Sequence, residues 1–137
     1  MPRPPKSIPF PPVPAETEQV GKRILDAAFK VHTALGPGLL ESAYEACFAY
    51  ELRKAGLNVE TQVALPVIYD NVRMDAGLRI DILVEKCVIV ELKAVETVNP
   101  VHEAQLITYL KLTHLRLGYL INFNIPHLRD GFKRMVV

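Results

Sequence analysis

Leu78–Lys93 reads L-R-I-D-I-L-V-E-K-C-V-I-V-E-L-K. Two apolar runs, Leu78–Val84 and Val88–Leu92, are joined by the short polar link Glu85–Lys86. Both are rich in Val, Ile and Leu and short enough to be strands. Residues two apart on a strand point to the same face. Glu91 and Lys93 therefore share one face, and Val88, Val90 and Leu92 share the other, which should lie buried against a helix. If the runs form a hairpin, Asp81 comes to lie beside Glu91. Carboxylates inside an apolar hairpin are costly unless they are paired or metal-bound.

The flanking sequence supplies more elements. Val59–Tyr69 alternates apolar and polar residues as a half-buried strand does, and Pro66 within it points to an edge or a bulge. Asp70-Asn71 is a turn signal, and Val72–Val84 is the next strand, bent near Ala76-Gly77. Upstream, Val20, Ile24, Ala27, Val31 and Leu35 recur at helical spacing over 16–35. Gly36-Pro37-Gly38 stops that helix, and a second runs from about Leu39 to Ala55, closed by Gly56. Downstream, Asn99-Pro100 starts a helix that runs to about Leu115 and is broken at Gly118. Tyr119–Phe123 is a fourth strand. Phe132–Val137 reads either as a last strand or as an oligomer contact. The order α-α-β-β-β-α-β indicates an α/β fold, a mixed central sheet of about four strands flanked by helices.

Composition sets the bounds. The chain has 137 residues, half of them hydrophobic, so one globular domain over 15–137 is expected. Met1–Pro14 holds seven of the eleven prolines and reads as a disordered tail. The formal net charge of +1 excludes a binder that works by bulk basic charge. Lys111, Arg116, Arg129, Lys133 and Arg134 gather near the C-terminus and read as a solvated surface. Cys47 and Cys87 form no C-x-x-C motif, and no run nears the roughly 18 apolar residues of a membrane span. The expectation is a cytoplasmic protein with no membrane partner.

Asp81, Glu91 and Lys93 suit metal-assisted phosphodiester hydrolysis. Hard carboxylate oxygens suit Mg²⁺ or Mn²⁺. The metal lowers the pKa of a bound water, and Lys93 can orient that water or offset developing charge. An isolated Glu-x-Lys is more often a surface ion pair of little worth. Here the buried look of V-I-V-E-L-K-A-V and the Asp one hairpin away favour the site. Glu41 lies on a helix stripe with Tyr44, Glu45 and Phe48, either as a site acid or as a first-turn acid favoured by the helix dipole. Gln105 and Tyr109 are one turn apart and face the same way. No G-x-S-x-G, P-loop or G-x-G-x-x-G is present. The four histidines have no zinc spacing; His102, one turn before Gln105, is the one to watch.

Gly38-Leu39-Leu40-Glu41-Ser42-Ala43-Tyr44 is a G-x-x-E-x-x-Y motif. With R-I-D-I-L-V around Asp81, V-E-L-K-A around Glu91, E-A-Q-L-I-T-Y-L from Glu103 and G-Y-L-I-N-F from Gly118, the chain resembles the small bacterial and archaeal GxxExxY proteins, which are placed in the PD-(D/E)xK nuclease-like superfamily. The resemblance covers about Glu18 to Asn124. It implies a restriction-endonuclease-like α-β-β-β-α-β core. It also implies Asp81, Glu91 and the Leu92 carbonyl as metal ligands, Lys93 as the catalytic lysine and Glu41 as an assisting acid. Gln105 and Tyr109 match the Q-x-x-x-Y pair of the RecB-like exonuclease branch. Ile80 stands where the proline of the "PD" element would be. The function implied is a metal-dependent nuclease acting on DNA. Two alternatives stay open: a nuclease-fold nucleic-acid-binding or assembly protein with little turnover, and an enzyme for small phosphate esters. Near-neutral charge suits a chain that grips DNA as a homo-oligomer or with a partner protein.

Overall fold

The computed structural model describes residues 11–137. The elements, in order, are α1 (Ala15–Leu35), α2 (Glu41–Lys54), β1 (Val59–Tyr69), β2 (Val72–Val84), β3 (Val88–Lys93), α3 (Pro100–Thr113), β4 (Leu117–Asn122) and β5 (Phe132–Val136). The strands form one sheet in the order β1-β2-β3-β4-β5. Neighbours are antiparallel except β3 and β4, which run parallel from Val88↔Leu117 to Lys93↔Asn122. A parallel pair needs a crossover, and α3 supplies it. The sheet thus has one more strand than expected: Phe132–Val136 pairs antiparallel with β4, a long-range pairing that local pattern alone leaves undecided.

The helices cover both faces. Val88, Val90 and Leu92 pack with Ile24, Tyr44, Phe48 and Leu52 of α1 and α2. Ile89 points the other way, into Leu106, Tyr109 and Leu110 of α3. The period-2 sorting of β3 is therefore as the sequence indicates, and Glu91 stands on the α3 face. Both central strands are buried along almost their whole length, so a carboxylate on β3 sits in the middle of the fold.

Several boundaries have local causes. Asn99 caps α3: its side chain accepts from Val101 N at 3.0 Å, with Pro100 at the first helical position. His102 Nδ1 accepts in return from Asn99 N at 3.3 Å, so His102 completes a capping box and is no ligand candidate. The helix ends at Thr113 with His114 left-handed, not at Gly118. Gly118 lies inside β4 because α3 packs on it: a Cβ there would come within 2.9 Å of Leu106 Cδ1. Of the proline-rich tail, residues 1–10 lie outside the described residues. Pro11–Pro14 lead into α1, with Arg116 Nη2 donating to Pro11 O at 2.5 Å and Val13 packed on the core.

The contact of α3 with β4 gives a direct check. Gly118→Val forces side-chain bulk between them and is expected to destabilise the fold by about 1–3 kcal/mol. Chemical denaturation measures this, and a loss below about 0.5 kcal/mol would place α3 further from the sheet.

Candidate active site

The ladder between β2 and β3 is short. It runs Val84↔Val88, Leu83↔Ile89, Ile82↔Val90 and then stops, because β2 turns away. The backbone N–H groups released at this fork need acceptors. Two carboxylates supply them. Asp81 Oδ2 accepts from Leu92 N at 2.9 Å, and Glu91 Oε1 accepts from Asp81 N at 3.3 Å. The link that brings them together is the two-residue turn Glu85–Lys86. Both residues have positive φ, 51° and 55°, which is the turn geometry that matches strand twist.

Glu91 is only 4% exposed. Burial pushes its carboxyl up to about 9, and the Asp81 charge and a side-chain hydrogen bond with Asp81 add to the shift. The backbone hydrogen bond from Asp81 and the charge of Lys93 pull it down by less. The Glu91 carboxyl is thus biased toward its protonated form. On the outer side, Gln62 Nε2 lies 3.2 Å from both oxygens of Glu45 and 3.5 Å from Asp81 Oδ1, the last at the limit of a hydrogen bond. Gln62 lies between Thr61↔Ile82 and Val63↔Ile80 in the β1–β2 register, which sets it opposite Asp81, and its φ is 52°.

Glu41 is half-buried at the start of α2. Burial raises its pKa first, the charge of Asp81 next, and Lys93 opposes both. Glu41 therefore faces the same charges as Glu91. Lys93 forms no ion pair among the described residues, which leaves its ammonium available to the site. Across the fork, Gln105 Nε2 donates to Tyr109 Oη at 3.0 Å. Burial raises the Tyr109 phenol, and the Glu91 charge raises it further, so this pair borders Glu91 from α3. The six side chains named from sequence and resemblance (Glu41, Asp81, Glu91, Lys93, Gln105, Tyr109) converge on one end of the sheet.

The G-x-x-E-x-x-Y motif divides its labour. Gly38 has φ +103°, open to glycine, and its N–H donates to Asn124 Oδ1 at 3.1 Å. Glu41 faces the site. Tyr44 holds the loop: its hydroxyl donates to Gly36 O at 2.5 Å and accepts from Leu39 N at 3.2 Å. Its ring stacks on Phe123 with centroids 4.8 Å apart. The clamp explains why α2 begins at Glu41 and not at Leu39. Gln62 and Asn122 were not legible as site neighbours. Asn122 is buried, and its amide takes Val95 N at 3.1 Å and gives to Val95 O at 2.8 Å, tying the segment after Lys93 to β4. The i+4 position of Glu45 after Glu41 was visible, but its link to Asp81 through Gln62 was not.

A hard divalent cation fits these donors. It would take the place of the Glu91 proton and offset the Asp81 charge that helps to raise Glu91. Among the described residues no three His, Cys, Asp or Glu side chains gather tightly enough to enclose a metal alone.

The chain belongs to the PD-(D/E)XK nuclease superfamily, whose family model matches residues 18–135. The match spans β1 to β4, all of β5 but Val136, and all but the first turn of α1. Members of this superfamily typically use divalent metals. No curated protein and no solved structure matches the chain.

The Glu91 proton sets a pH dependence. The folded Glu91 keeps a proton that the unfolded chain releases near 4.5. Stability from this group is fully present below pH 4.5 and is lost as pH rises toward about 9. Metal-free protein is expected to melt at falling temperature across that window, and Glu91→Gln to flatten the slope. A melting curve in EDTA at several pH values checks this; a wild-type profile as flat as the variant's would contradict it.

Proposed function

We propose that the chain is a Mg²⁺- or Mn²⁺-dependent nuclease that hydrolyses DNA phosphodiester bonds. The carrying observation is the buried Glu91 joined to Asp81 through the fork, beside a Lys93 that forms no ion pair among the described residues. In this reading Asp81, Glu91 and the Leu92 carbonyl hold the cation. When bound, the cation supplies Lewis acidity to the phosphate and acidifies a water. Lys93 donates from Nζ to the attacking water or to a phosphate oxygen and so offsets charge as it develops. Glu41 accepts a hydrogen bond from that water. Tyr109, held by Gln105, positions the Glu91 carboxylate from the α3 side. These two are positioning residues.

The grip on DNA is modest in this reading. Lys133 is 2.7 Å from Glu103, Arg134 pairs with Glu18, and Arg116 Nε donates to Val137 O at 2.5 Å. Two of the five cations of the C-terminal cluster are therefore paired with carboxylates of the chain, which leaves fewer of them free for phosphates. Affinity should fall only gently with salt. No helix among the described residues is long and apolar enough to cross a membrane. With Cys47 and Cys87 both unpaired, the reading places the protein in the cytoplasm.

The test is cleavage of plasmid and of linear single- and double-stranded DNA with Mg²⁺ or Mn²⁺. Lys93→Ala is expected to lower the rate by at least about 100-fold at unchanged melting temperature. EDTA should abolish cleavage. Absence of wild-type cleavage, or equal cleavage by Lys93→Ala, would sink the nuclease reading; salt-dependent DNA binding without turnover would then support a binding or assembly role.

A further inference from the structure

Strands β1 and β2 form a long antiparallel ribbon, and one residue inside it departs from strand geometry. The ribbon pairs Thr61↔Ile82 and Val63↔Ile80 on either side of Gln62. Its register shifts only further out, where it kinks between Leu65 and Val67, at Pro66 on one strand and Asp75–Gly77 on the other. Gln62 nevertheless has φ 52°. Among the described residues, the other non-glycine positive φ values close turns, at Asp70–Asn71 and Glu85–Lys86, or end α3, at His114. A left-handed backbone is unfavourable for a residue with a Cβ and persists where the surroundings hold that residue in place. The polar neighbours of Gln62 are two carboxylates.

The side-chain amide bridges them. Nε2 lies 3.2 Å from each Glu45 oxygen and 3.5 Å from Asp81 Oδ1. A carboxylate only accepts, and both N–H donors of a Gln amide are on its nitrogen. Glu45 therefore fixes which way the amide is turned, with N–H toward both acids. The opposite orientation would set the amide oxygen against Asp81 and repel it. Asp81 then has one donor at each oxygen: Gln62 at Oδ1, and Leu92 N at Oδ2, 2.9 Å away. A carboxylate oxygen has room for a second partner, so neither is closed to a cation. The bridge also adds no charge. A Lys at this position would donate equally well but would neutralise Asp81.

We infer that Gln62, turned by Glu45, is a positioning residue that holds Asp81 for a divalent cation without competing with that cation. This role presupposes the metal-dependent reading of the site. Glu45 stands one turn after Glu41 on α2, so one helix face brings an acid to the site and anchors the amide that steadies Asp81. Hydrogen bonds to a ligating carboxylate orient it, and losing one lowers metal affinity by roughly 10- to 100-fold.

Calorimetric titration of the metal-free full chain with Mn²⁺ tests this, with melting temperature read on the same samples. Gln62→Gly removes the amide and suits the backbone, and is expected to bind Mn²⁺ at least about 10-fold more weakly than wild type at little change in melting temperature. Gln62→Lys keeps a donor but adds charge, and should bind no better than Gln62→Gly. Glu45→Gln should weaken binding in the wild-type background, and most of that loss should vanish in the Gln62→Gly background, because Glu45 acts through Gln62. A wild type that binds no Mn²⁺ would overturn the metal-dependent reading and this role with it. With wild-type binding intact, equal affinity in Gln62→Gly, wild-type affinity in Gln62→Lys, or the same Glu45→Gln loss in both backgrounds would overturn the role of Gln62 alone. So would losses of affinity that follow losses of melting temperature across the variants, which would mark Gln62 as structural.

Discussion

The fold is arranged around two reciprocal hydrogen bonds at the point where β2 leaves β3. Glu91 stands in a central strand and is almost wholly out of water. Such a carboxylate is expensive unless its charge is removed or matched. Here it accepts the backbone N–H of Asp81, while Asp81 accepts the backbone N–H of Leu92. Each acid thereby caps the other's side of the fork. The geometry demands that β2 diverge at Asp81, since a continued ladder would occupy the same N–H groups. It also demands neighbours that tolerate a charged or protonated pair: Lys93 along β3, Glu41 from α2, and Tyr109 with Gln105 from α3.

The rest of the scaffold serves that placement. α3 is held over the α3-facing side of β3 by its capped start at Asn99 and by its close approach to Gly118. α2 is set by the Tyr44 clamp on the Gly36–Leu39 loop, which fixes where Glu41 begins. Phe123 lies under Tyr44 and follows directly on β4, so the clamp is tied to the same strand ends as the site. Asn122 joins Val95 to β4 and keeps the chain after Lys93 from swinging away.

Much of this was readable in advance because it depends on short-range rules. Two β-branched runs joined by two polar residues specify a hairpin, and the period of two puts Glu91 and Lys93 on one face. Asn99-Pro100 fixes the start of α3 for a local reason, and Pro66 and Ala76-Gly77 mark the kink of the ribbon. What escaped depends on long-range contacts. Gln62 meets Glu45 and Asp81 through the register of β1 on β2, which pairs residues distant in the sequence. The strand character of Phe132–Val136 is settled by pairing with β4, and Gly118 reads as a helix breaker until α3 is seen against it. His102 looked chemical from its place beside Gln105, yet its nitrogen is taken by the backbone of its own helix cap. The terminal cations read as a solvated surface and four of the five are exposed; what pattern did not show is that three of the five have partners within the chain.

The central claim is that the Asp81–Glu91 pair is built to exchange the Glu91 proton for a divalent cation. The most direct measurement is calorimetric titration of metal-free protein with Mn²⁺ at two pH values, one near 6 and one near 8, alongside Glu91→Gln. The account expects binding that tightens with pH and releases protons in the wild type, with affinity lost in the variant. Binding of equal strength in Glu91→Gln, or wild-type binding with no proton release at either pH, would contradict it.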